Sequence, residues 1–488
     1  MGEGFDTYMT LVKHSLIYFI ARGLSGLINL CAIGVYTRLT SPEEFGKYVM
    51  VLAVVEFVNA VLFHWIRYGI LRYSQRYTED QRGIFLSTIA TLFFIMFIFT
   101  LILSQLVLWV LIDLGKWGEL WQIGLVLLWI MAWFDLNLEL LRADLSPGTY
   151  GWMLLGKSVL TFICIIVMLN FDMGAKGFII GMMTGMLFPL IFVMKRNWKG
   201  IRIPVIDPNI CKQMITYGLP LTITFSMHFV MVSSDRLILG WIRGPDESGL
   251  YAVAYDLTQQ TLLLVMTIIN LSAFPLVVHA LENGEIAETH KKLQQYTTAL
   301  FFVSFPATAG FIVLAPGISR LFLGPDFLDV AFTIMPLIAF TAFLEGTKQY
   351  YLDLSFQLGQ RTWFQIWPNI IAACANVGFN FLWIPKWGVL GAVYATIVAN
   401  LMAIVMSWFI GRKIFPLPFP SKEILKIVLA TLMMVFILKP LATYSGFLIL
   451  FTQIVLGLFI YISVGYVLKI GGYHRYFKNI LGRMTRKR

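Results

Sequence analysis

Ionisable side chains inside otherwise apolar segments are the residues of this sequence that could do chemistry. If those segments cross a membrane, each such residue costs about 2.5–3.5 kcal/mol to insert, so it is expected to be paired or to line a polar cavity. The cations suit an anionic ligand, and the carboxylates suit cation binding or proton relay. The set is Arg22, Glu56, Asp135, Glu139, Lys157, Asp235, Arg236, Asp256, Glu345, Lys348 and Asp353.

Arg22 is the sharpest candidate among the cations. It shares one predicted helical face with Ser25, Gly26 and Asn29, because residues three and four apart are neighbours on a helix. A guanidinium presents a fork of donors that matches a phosphate group. We therefore predict an anion contact at Arg22, with Ser25 and Asn29 in a polar cavity. The alternatives are a pair with Glu56 and a side chain that extends to the membrane interface.

Lys348, Arg236 and Lys157 are the further candidates for contacts with an anion. Lys348 could instead pair with Glu345, three residues earlier on a helix. Arg236 could form a gating ion pair with the adjacent Asp235. Lys157 could extend to the membrane interface.

The carboxylates divide into two predicted roles. Glu56 and Asp135 are expected to line the polar cavity, while Asp256 and Glu345 are the candidates for coupling to H⁺ or Na⁺. The four cysteines form no C-x-x-C motif. No metal centre and no cofactor are expected.

The elements that must position these residues are membrane helices. Of 488 residues, 58% are hydrophobic and 13% are charged, whereas soluble domains are about 25% charged. A spanning helix needs about 20 apolar residues. The sequence predicts an all-α polytopic membrane protein with about 14 spans, near 14–38, 47–67, 84–112, 121–143, 150–170, 174–194, 211–242, 248–278, 293–316, 329–356, 362–384, 388–411, 422–441 and 446–469.

The net charge of +11 is explained by orientation in a membrane. Lys and Arg concentrate in the connections on one side, including Arg67, Arg72 and the tail from Arg475. This bias places both termini in the cytoplasm and argues against a nucleic-acid partner. No G-x-x-x-x-G-K-[ST] motif occurs, so ATP hydrolysis within this chain is excluded.

A repeated turn indicates an internal duplication. Proline, two acids, glycine and tyrosine recur in register in Pro42–Tyr48 and Pro245–Tyr251, 203 residues apart. Parallel repeats of this kind are common in transporters that expose a cavity alternately to each side. We predict two six-helix bundles, formed by spans 1–6 and 7–12, followed by two extra spans. The predicted domains are an N-terminal lobe at 1–200, a C-terminal lobe at 201–415, and the extra helices with the basic tail at 416–488.

The segments 21–27 (ARGLSGL) and 36–48 (YTRLTSPEEFGKY), with the Arg142–Tyr150 turn, resemble the polysaccharide/O-antigen flippase family of the multidrug/oligosaccharidyl-lipid/polysaccharide (MOP) exporter superfamily. The resemblance implies alternating access around a cationic cavity in the inner membrane. It also implies transfer of undecaprenyl-pyrophosphate-linked oligosaccharide between leaflets, with Arg22 at the position used for pyrophosphate. A glycan polymerase and export machinery are the partner proteins expected beside membrane lipids. No enzymatic activity is expected.

Three alternatives remain open on the sequence alone. A drug or organic-cation exporter of the same superfamily would suit the cavity carboxylates. A flippase for peptidoglycan precursors would differ in substrate more than in mechanism. A membrane glycosyltransferase or glycan polymerase usually needs a larger outer loop than the tight turn that contains Glu43 and Glu44.

Overall fold

A computed structural model describes residues 2–77, 79–110, 117–198, 201 and 203–472 of the chain. The regular elements in these ranges are helical, and the predicted basic tail from Arg475 lies outside them. The helices are α1 (Gly2–Leu39), α2 (Pro42–Tyr73), α3 (Glu79–Val110), α4 (Trp117–Ala143), α5 (Pro147–Asn170), α6 (Gly174–Asn197), α7 (Pro208–Ile242), α8 (Pro245–Glu282), α9 (Ile286–Phe322), α10 (Leu328–Thr347), α11 (Leu354–Leu358), α12 (Ile366–Trp387), α13 (Val389–Ile414), α14 (Ser421–Leu438) and α15 (Phe447–Val467).

The helices correspond to the predicted spans in order. A π-helical turn, Lys348–Leu352, joins α10 to α11, so those elements form one rod. Within the described ranges, 11 helices are long and apolar enough to cross a membrane, judged by length and composition. The prediction of an all-helical polytopic membrane protein is confirmed.

The chain divides into two compact units, Met1–Gly249 and Leu250–Arg488. In the first unit, α2 packs along α7, α4 and α6, while α5 packs on α1 and α6. In the second unit, α9 packs on α10 and α14, and α12 pairs with α13. The domain boundaries at 200 and 415 stay a prediction.

Glycines bring α5 and α6 into close contact. A Cβ added to Gly181 would lie 2.8 Å from the backbone N of Ile165, and one added to Gly185 would lie 2.6 Å from the backbone N of Thr161. Helices in lipid associate through van der Waals contact and small interfacial residues, because lipid tails are as apolar as the side chains. The Gly-x-x-x-Gly spacing therefore fixes this hairpin, which carries Tyr150 and Lys157.

We expect Gly181→Val to destabilise the protein by about 1–3 kcal/mol, because the added side chain forces two backbones apart. Unfolding of the purified protein in detergent measures the change. Gly378→Val on α12 is the matched control, since a Cβ there meets no other atom within 4 Å. If both variants lost the same free energy of unfolding, the lower helix propensity of valine, and not the packing of α5 against α6, would explain the loss.

Glu44 connects the first repeated turn to the start of α6. Its Oε2 accepts a hydrogen bond from the backbone N of Ala175 at 2.8 Å, and its Oε1 lies 2.7 Å from Nζ of Lys47. The preceding Gly174 has φ +49°, a conformation that favours glycine. A carboxylate at a helix N-terminus is stabilised by the helix dipole. The acids of this turn therefore have a structural role.

Candidate functional site

Arg22 on α1 is held by Tyr150 in the first turn of α5. Its Nε and Nη2 donate to the Tyr150 hydroxyl at 3.3 and 3.2 Å. Tyr150 is 5% exposed, whereas Arg22 is an exposed residue of the span. One edge of the guanidinium is thus fixed to a buried hydroxyl, and the side chain remains accessible to a ligand.

The predicted polar stripe on α1 is only partly open. Ser25 is 6% exposed and lies in the packed side of the helix, whereas Asn29 is exposed like Arg22. Spacing of three and four residues placed Arg22, Ser25 and Asn29 on one helical face, but α1 packs on α5 and Ser25 is buried. Arg22 and Asn29 are therefore the accessible members of the stripe.

A hydrogen-bonded network joins α2 to α4 in the first unit. Asp135 Oδ2 accepts from Arg67 Nη1 at 3.0 Å and from Asn59 Nδ2 at 3.2 Å. Arg67 Nη1 also lies 2.8 Å from His64 Nε2. The assignment of Arg67 to a cytoplasmic connection was wrong, because α2 continues to Tyr73 and carries Arg67 to the carboxylate.

Lys157 and Glu56 belong to the same electrostatic neighbourhood. Lys157 Nζ lies 5.2 Å from the centre of the Phe134 ring, and the charges of Asp135, Glu56 and Arg67 act on it. Two cations and two carboxylates therefore share this region of the first unit. The predicted members Glu56, Asp135 and Lys157 come together here, whereas Arg22 has its own partner on α5.

In the second unit, Glu345 is paired with a glutamine. Gln259 Nε2 on α8 donates to Glu345 Oε2 on α10, and Gln259 is 6% exposed. Asp256 is half-buried on α8, three residues before Gln259. The two candidates for ion coupling therefore lie on neighbouring helices of one unit, with Gln259 bound to one of them.

Lys348 has a buried partner that its sequence neighbours did not suggest. Its Nζ lies 2.9 Å from Asp353 Oδ2 and 2.7 Å from Asn369 Oδ1. The alternative pairing with Glu345, three residues earlier, is wrong, because the π-helical turn Lys348–Leu352 changes the register of the side chains. Single π turns are frequent at functional sites.

Asp353 is the centre of this second polar cluster. Its carboxylate also accepts from Gln365 Nε2 at 2.9 Å and from Ser407 Oγ at 3.1 Å. Asp353 is 1% exposed and Lys348 is 8% exposed. Contact between Lys348 and an anion would therefore require the pair to separate.

Arg236 is enclosed near the end of α7. It is 7% exposed, the adjacent Asp235 is 1% exposed, and the hydroxyl of Ser248 donates to the Arg236 carbonyl at 2.9 Å. An anion would reach Arg236 only after this end of α7 had moved. The role of Arg236 as a ligand contact stays a prediction.

Two sets of polar residues were missed by the sequence reasoning. The first is Tyr150, which the sequence analysis named only as the end of a turn. Its hydrogen bond to Arg22 could have been suspected only from its position at the start of the fifth span. The other set is a buried ladder on α12 and α13, where Asn376 Nδ2 donates to Thr396 Oγ1 and Asn380 Nδ2 donates to Asn376 Oδ1, both at 3.2 Å. A neutral amide stands out less in an apolar segment than an ionisable residue does, so this ladder had little signal in the sequence.

The fold is shared with known membrane transporters. A structure described as lipid II flippase MurJ, inward closed conformation, aligns with a TM-score of 0.77 at 16% identity, covering 93% of this chain and 99% of MurJ. An inward-facing multidrug resistance MATE family transporter of the MOP superfamily aligns with a TM-score of 0.61 at 15% identity, over 80% and 94% of the two chains. The outward-facing conformation of a MATE family transporter gives 0.53 at 17% identity, over 83% and 95%.

These alignments show that the chain shares its fold with these transporters, and 11 of its described helices are long and apolar enough to cross a membrane. Residues 35–332 match the family described as polysaccharide biosynthesis protein, and the chain belongs to that family. No curated protein sequence matches it. The family resemblance seen in α1 and in the turn that follows it is thereby confirmed.

Proposed function

We propose that the protein is a flippase for polyprenyl-pyrophosphate-linked oligosaccharide, the repeat unit of an O-antigen, capsule or exopolysaccharide. It would carry this lipid from the cytoplasmic to the periplasmic leaflet of the inner membrane by alternating access. Membership of the polysaccharide biosynthesis family and the transporter fold support this proposal. The observation that carries it is the accessible guanidinium of Arg22, held in one orientation by Tyr150.

The remaining donors of Arg22 suit a phosphate oxygen. Nε and Nη2 are directed to Tyr150, so Nη1 is the nitrogen without a part in that contact. Charge-assisted hydrogen bonds from arginine to phosphate are short and strong. Lys157 and Lys348 are placed among carboxylates, so Arg22 is the primary contact for pyrophosphate and the two lysines are secondary.

Transport would be driven by an ion gradient or by the concentration gradient of the lipid-linked oligosaccharide itself. Asp256 and Glu345 are the proposed coupling residues for H⁺ or Na⁺, because carboxylates in membrane interiors can be neutralised by either ion. The protein acts as a transporter without catalysis. A glycan polymerase and the export machinery would take the translocated glycan in the periplasm.

A MATE-like drug or organic-cation exporter is the second candidate. The carboxylates Glu56, Asp135 and Glu345 favour it, since they would attract a cationic drug, and the MATE transporters share the fold. Arg67 forms an ion pair with Asp135, so this carboxylate is already neutralised and would attract an organic cation less strongly. A glycan polymerase or glycosyltransferase is the third candidate function and has the least support.

Deletion of the gene tests the proposed function. We expect lipid-linked oligosaccharide to accumulate in the membrane and surface polysaccharide to disappear, with both restored by the intact chain. Normal amounts of both, in a strain without a redundant flippase, would contradict the proposal. Loss of resistance to organic cations in the same strain would support the drug exporter.

Tyr150→Phe removes the hydroxyl that orients Arg22 while keeping the ring that packs between α1 and α5. A hydrogen bond to a charged group contributes about 1.5–3 kcal/mol, so we expect export to fall about tenfold. The rate of surface-polymer recovery after induction measures the effect. Tyr394→Phe, on an exposed tyrosine of α13, is the control and should leave export unchanged. Unchanged export in Tyr150→Phe would mean that Arg22 needs no positioning.

A further inference from the structure

The π-helical turn Lys348–Leu352 forms together with an ion pair that a regular helix does not allow. The backbone N of Asp353 donates to the Lys348 carbonyl at 2.9 Å, a bond between residues five apart. The ammonium and carboxylate of the same two residues also lie 2.9 Å apart. In an α-helix, residues five apart point about 140° away from each other, whereas residues three or four apart are neighbours. The ion pair of Lys348 and Asp353 therefore requires the π form of the turn.

Glu345 is the competing partner for Lys348. It precedes the lysine by three residues, and the backbone N of Lys348 donates to the Glu345 carbonyl, so helical spacing is kept up to the start of the turn. Residues with this spacing share one face of a helix. The Glu345 carboxylate accepts a hydrogen bond from Nε2 of Gln259 on α8. Lys348 thus has one carboxylate that a regular helix offers and a second that the π form offers.

Side chains of α8 and α9 hold the turn from outside. The Tyr296 hydroxyl donates to the Tyr350 carbonyl of the turn at 2.6 Å, and it also lies 2.9 Å from Asn270 Oδ1. The Tyr350 hydroxyl lies 2.7 Å from Oγ1 of Thr267 on α8. Tyr296 is 2% exposed, and a buried backbone carbonyl needs such a donor. These contacts support the π form independently of the ion pair.

The π form also has a cost. In the described structure, the hydroxyl of Thr347, directly before the turn, is buried and has no hydrogen-bond partner. Leaving a buried hydroxyl unsatisfied is unfavourable, and π-helical backbone is itself rare. Asp353 has two neutral donors besides the lysine, Gln365 Nε2 and Ser407 Oγ. The carboxylate therefore does not depend on Lys348 alone for its hydrogen bonds.

We propose that this turn is a switch in which Lys348 exchanges Asp353 for Glu345 when the π form becomes α-helical. A helical turn with two discrete forms converts a change of charge at one carboxylate into a change of backbone register. A charged Glu345 favours the exchange, whereas a neutral Glu345 leaves Lys348 with Asp353. The exchange of partners stands on the geometry of the turn, while its use in ion coupling rests on the proposed role of Glu345 in transport.

The interaction between Lys348 and Glu345 can be measured without a substrate. Lys348→Met, Glu345→Gln and their combination form a double-mutant cycle, in which the equilibrium constant of unfolding is measured in detergent. In the otherwise wild-type chain, we expect the effects of the two substitutions to multiply within about twofold, because Lys348 is paired with Asp353.

Tyr296→Phe removes the donor to the Tyr350 carbonyl and should move the turn toward its α-helical form. In this background, we expect the cycle to show an interaction of at least about fivefold between Lys348 and Glu345. Tyr461→Phe is the matched control, because the Tyr461 hydroxyl donates to the Phe302 carbonyl at 2.7 Å within the same unit. It should lower stability and leave the cycle as it is in the wild-type chain.

A second background removes the partner that the π form offers. In Asp353→Asn, the interaction between Lys348 and Glu345 should also reach at least about fivefold. This variant keeps Tyr296, so it tests the exchange even if Tyr296→Phe does not fold.

Two results would overturn the inference. An unchanged cycle in Tyr296→Phe or in Asp353→Asn would show that Lys348 does not exchange its partner. Equal changes in Tyr296→Phe and Tyr461→Phe would show that loss of any buried hydroxyl, and not the register of this turn, causes the effect. A wrong assignment of the transported lipid would leave all of these unfolding measurements as they are, because none of them contains a glycan.

Discussion

Arg22→Ala should reduce glycan export at least about tenfold and cause lipid-linked oligosaccharide to accumulate, with the protein still present in the membrane. A hydrogen bond to a charged group contributes about 1.5–3 kcal/mol, and each 1.4 kcal/mol is about tenfold in a binding constant. The loss should be large because the guanidinium is accessible and already oriented by Tyr150. The amount of lipid-linked oligosaccharide per cell measures the effect.

Two further variants make this result specific. Arg22→Lys keeps the charge but lacks the forked donors, so we expect intermediate export. Arg38→Ala, in the last turn of α1, removes an exposed cation from the same helix and should leave export unchanged. Equal defects in Arg22→Ala and Arg38→Ala would indicate a general requirement for positive charge. Full export in Arg22→Ala would remove the proposed contact.

Lys348→Met should destabilise the protein by about 3–5 kcal/mol, because it leaves Asp353 buried and without its cation. Asp353 is 1% exposed, so water cannot replace the lysine. The double variant Lys348→Met/Asp353→Asn removes both charges, and we expect it to recover more than half of the loss. Equilibrium unfolding in detergent gives the free energies for this double-mutant cycle.

A partly exposed ion pair gives the matched control for the buried one. Lys426 and Glu423 lie 2.8 Å apart on α14, with side chains 34% and 28% exposed. Lys426→Met should cost less than about 1 kcal/mol, as exposed pairs usually do. If Lys348→Met cost no more than Lys426→Met, the pair of Lys348 and Asp353 would not stabilise the π-helical turn.

The helices were predictable because their signal is length and apolar composition. The spans near 174–194 and 388–411 match α6 and α13 within a few residues. Both helices start at a glycine with positive φ: α6 begins at Gly174, and α13 begins directly after Gly388. The similarity of the two turns was visible in the sequence, but the contact between Gly46 of one turn and Pro245 and Gly249 of the other was not foreseen. Sequence similarity between two segments does not say that they touch.

The partners of the charged residues were less predictable, because they depend on distant contacts. Helical spacing suggested Glu345 for Lys348, but one π turn moved the lysine to Asp353. Hydropathy ended the second span near Arg67, but packing of α2 against α4 and α7 extends the helix beyond it. A cation late in an apolar segment is as consistent with a buried partner as with the cytoplasmic interface.

Translocation by the purified protein in proteoliposomes is the most direct test of the proposed flippase. Polyprenyl-pyrophosphate-linked oligosaccharide is placed in both leaflets, and an impermeant glycan-modifying enzyme outside reports the fraction that reaches the outer leaflet. The wild-type chain should make nearly all of the lipid-linked glycan accessible, while Arg22→Ala should leave the inner-leaflet half protected over the same time. Protection of that half in wild-type vesicles, under every imposed gradient of H⁺ or Na⁺, would contradict the proposed function.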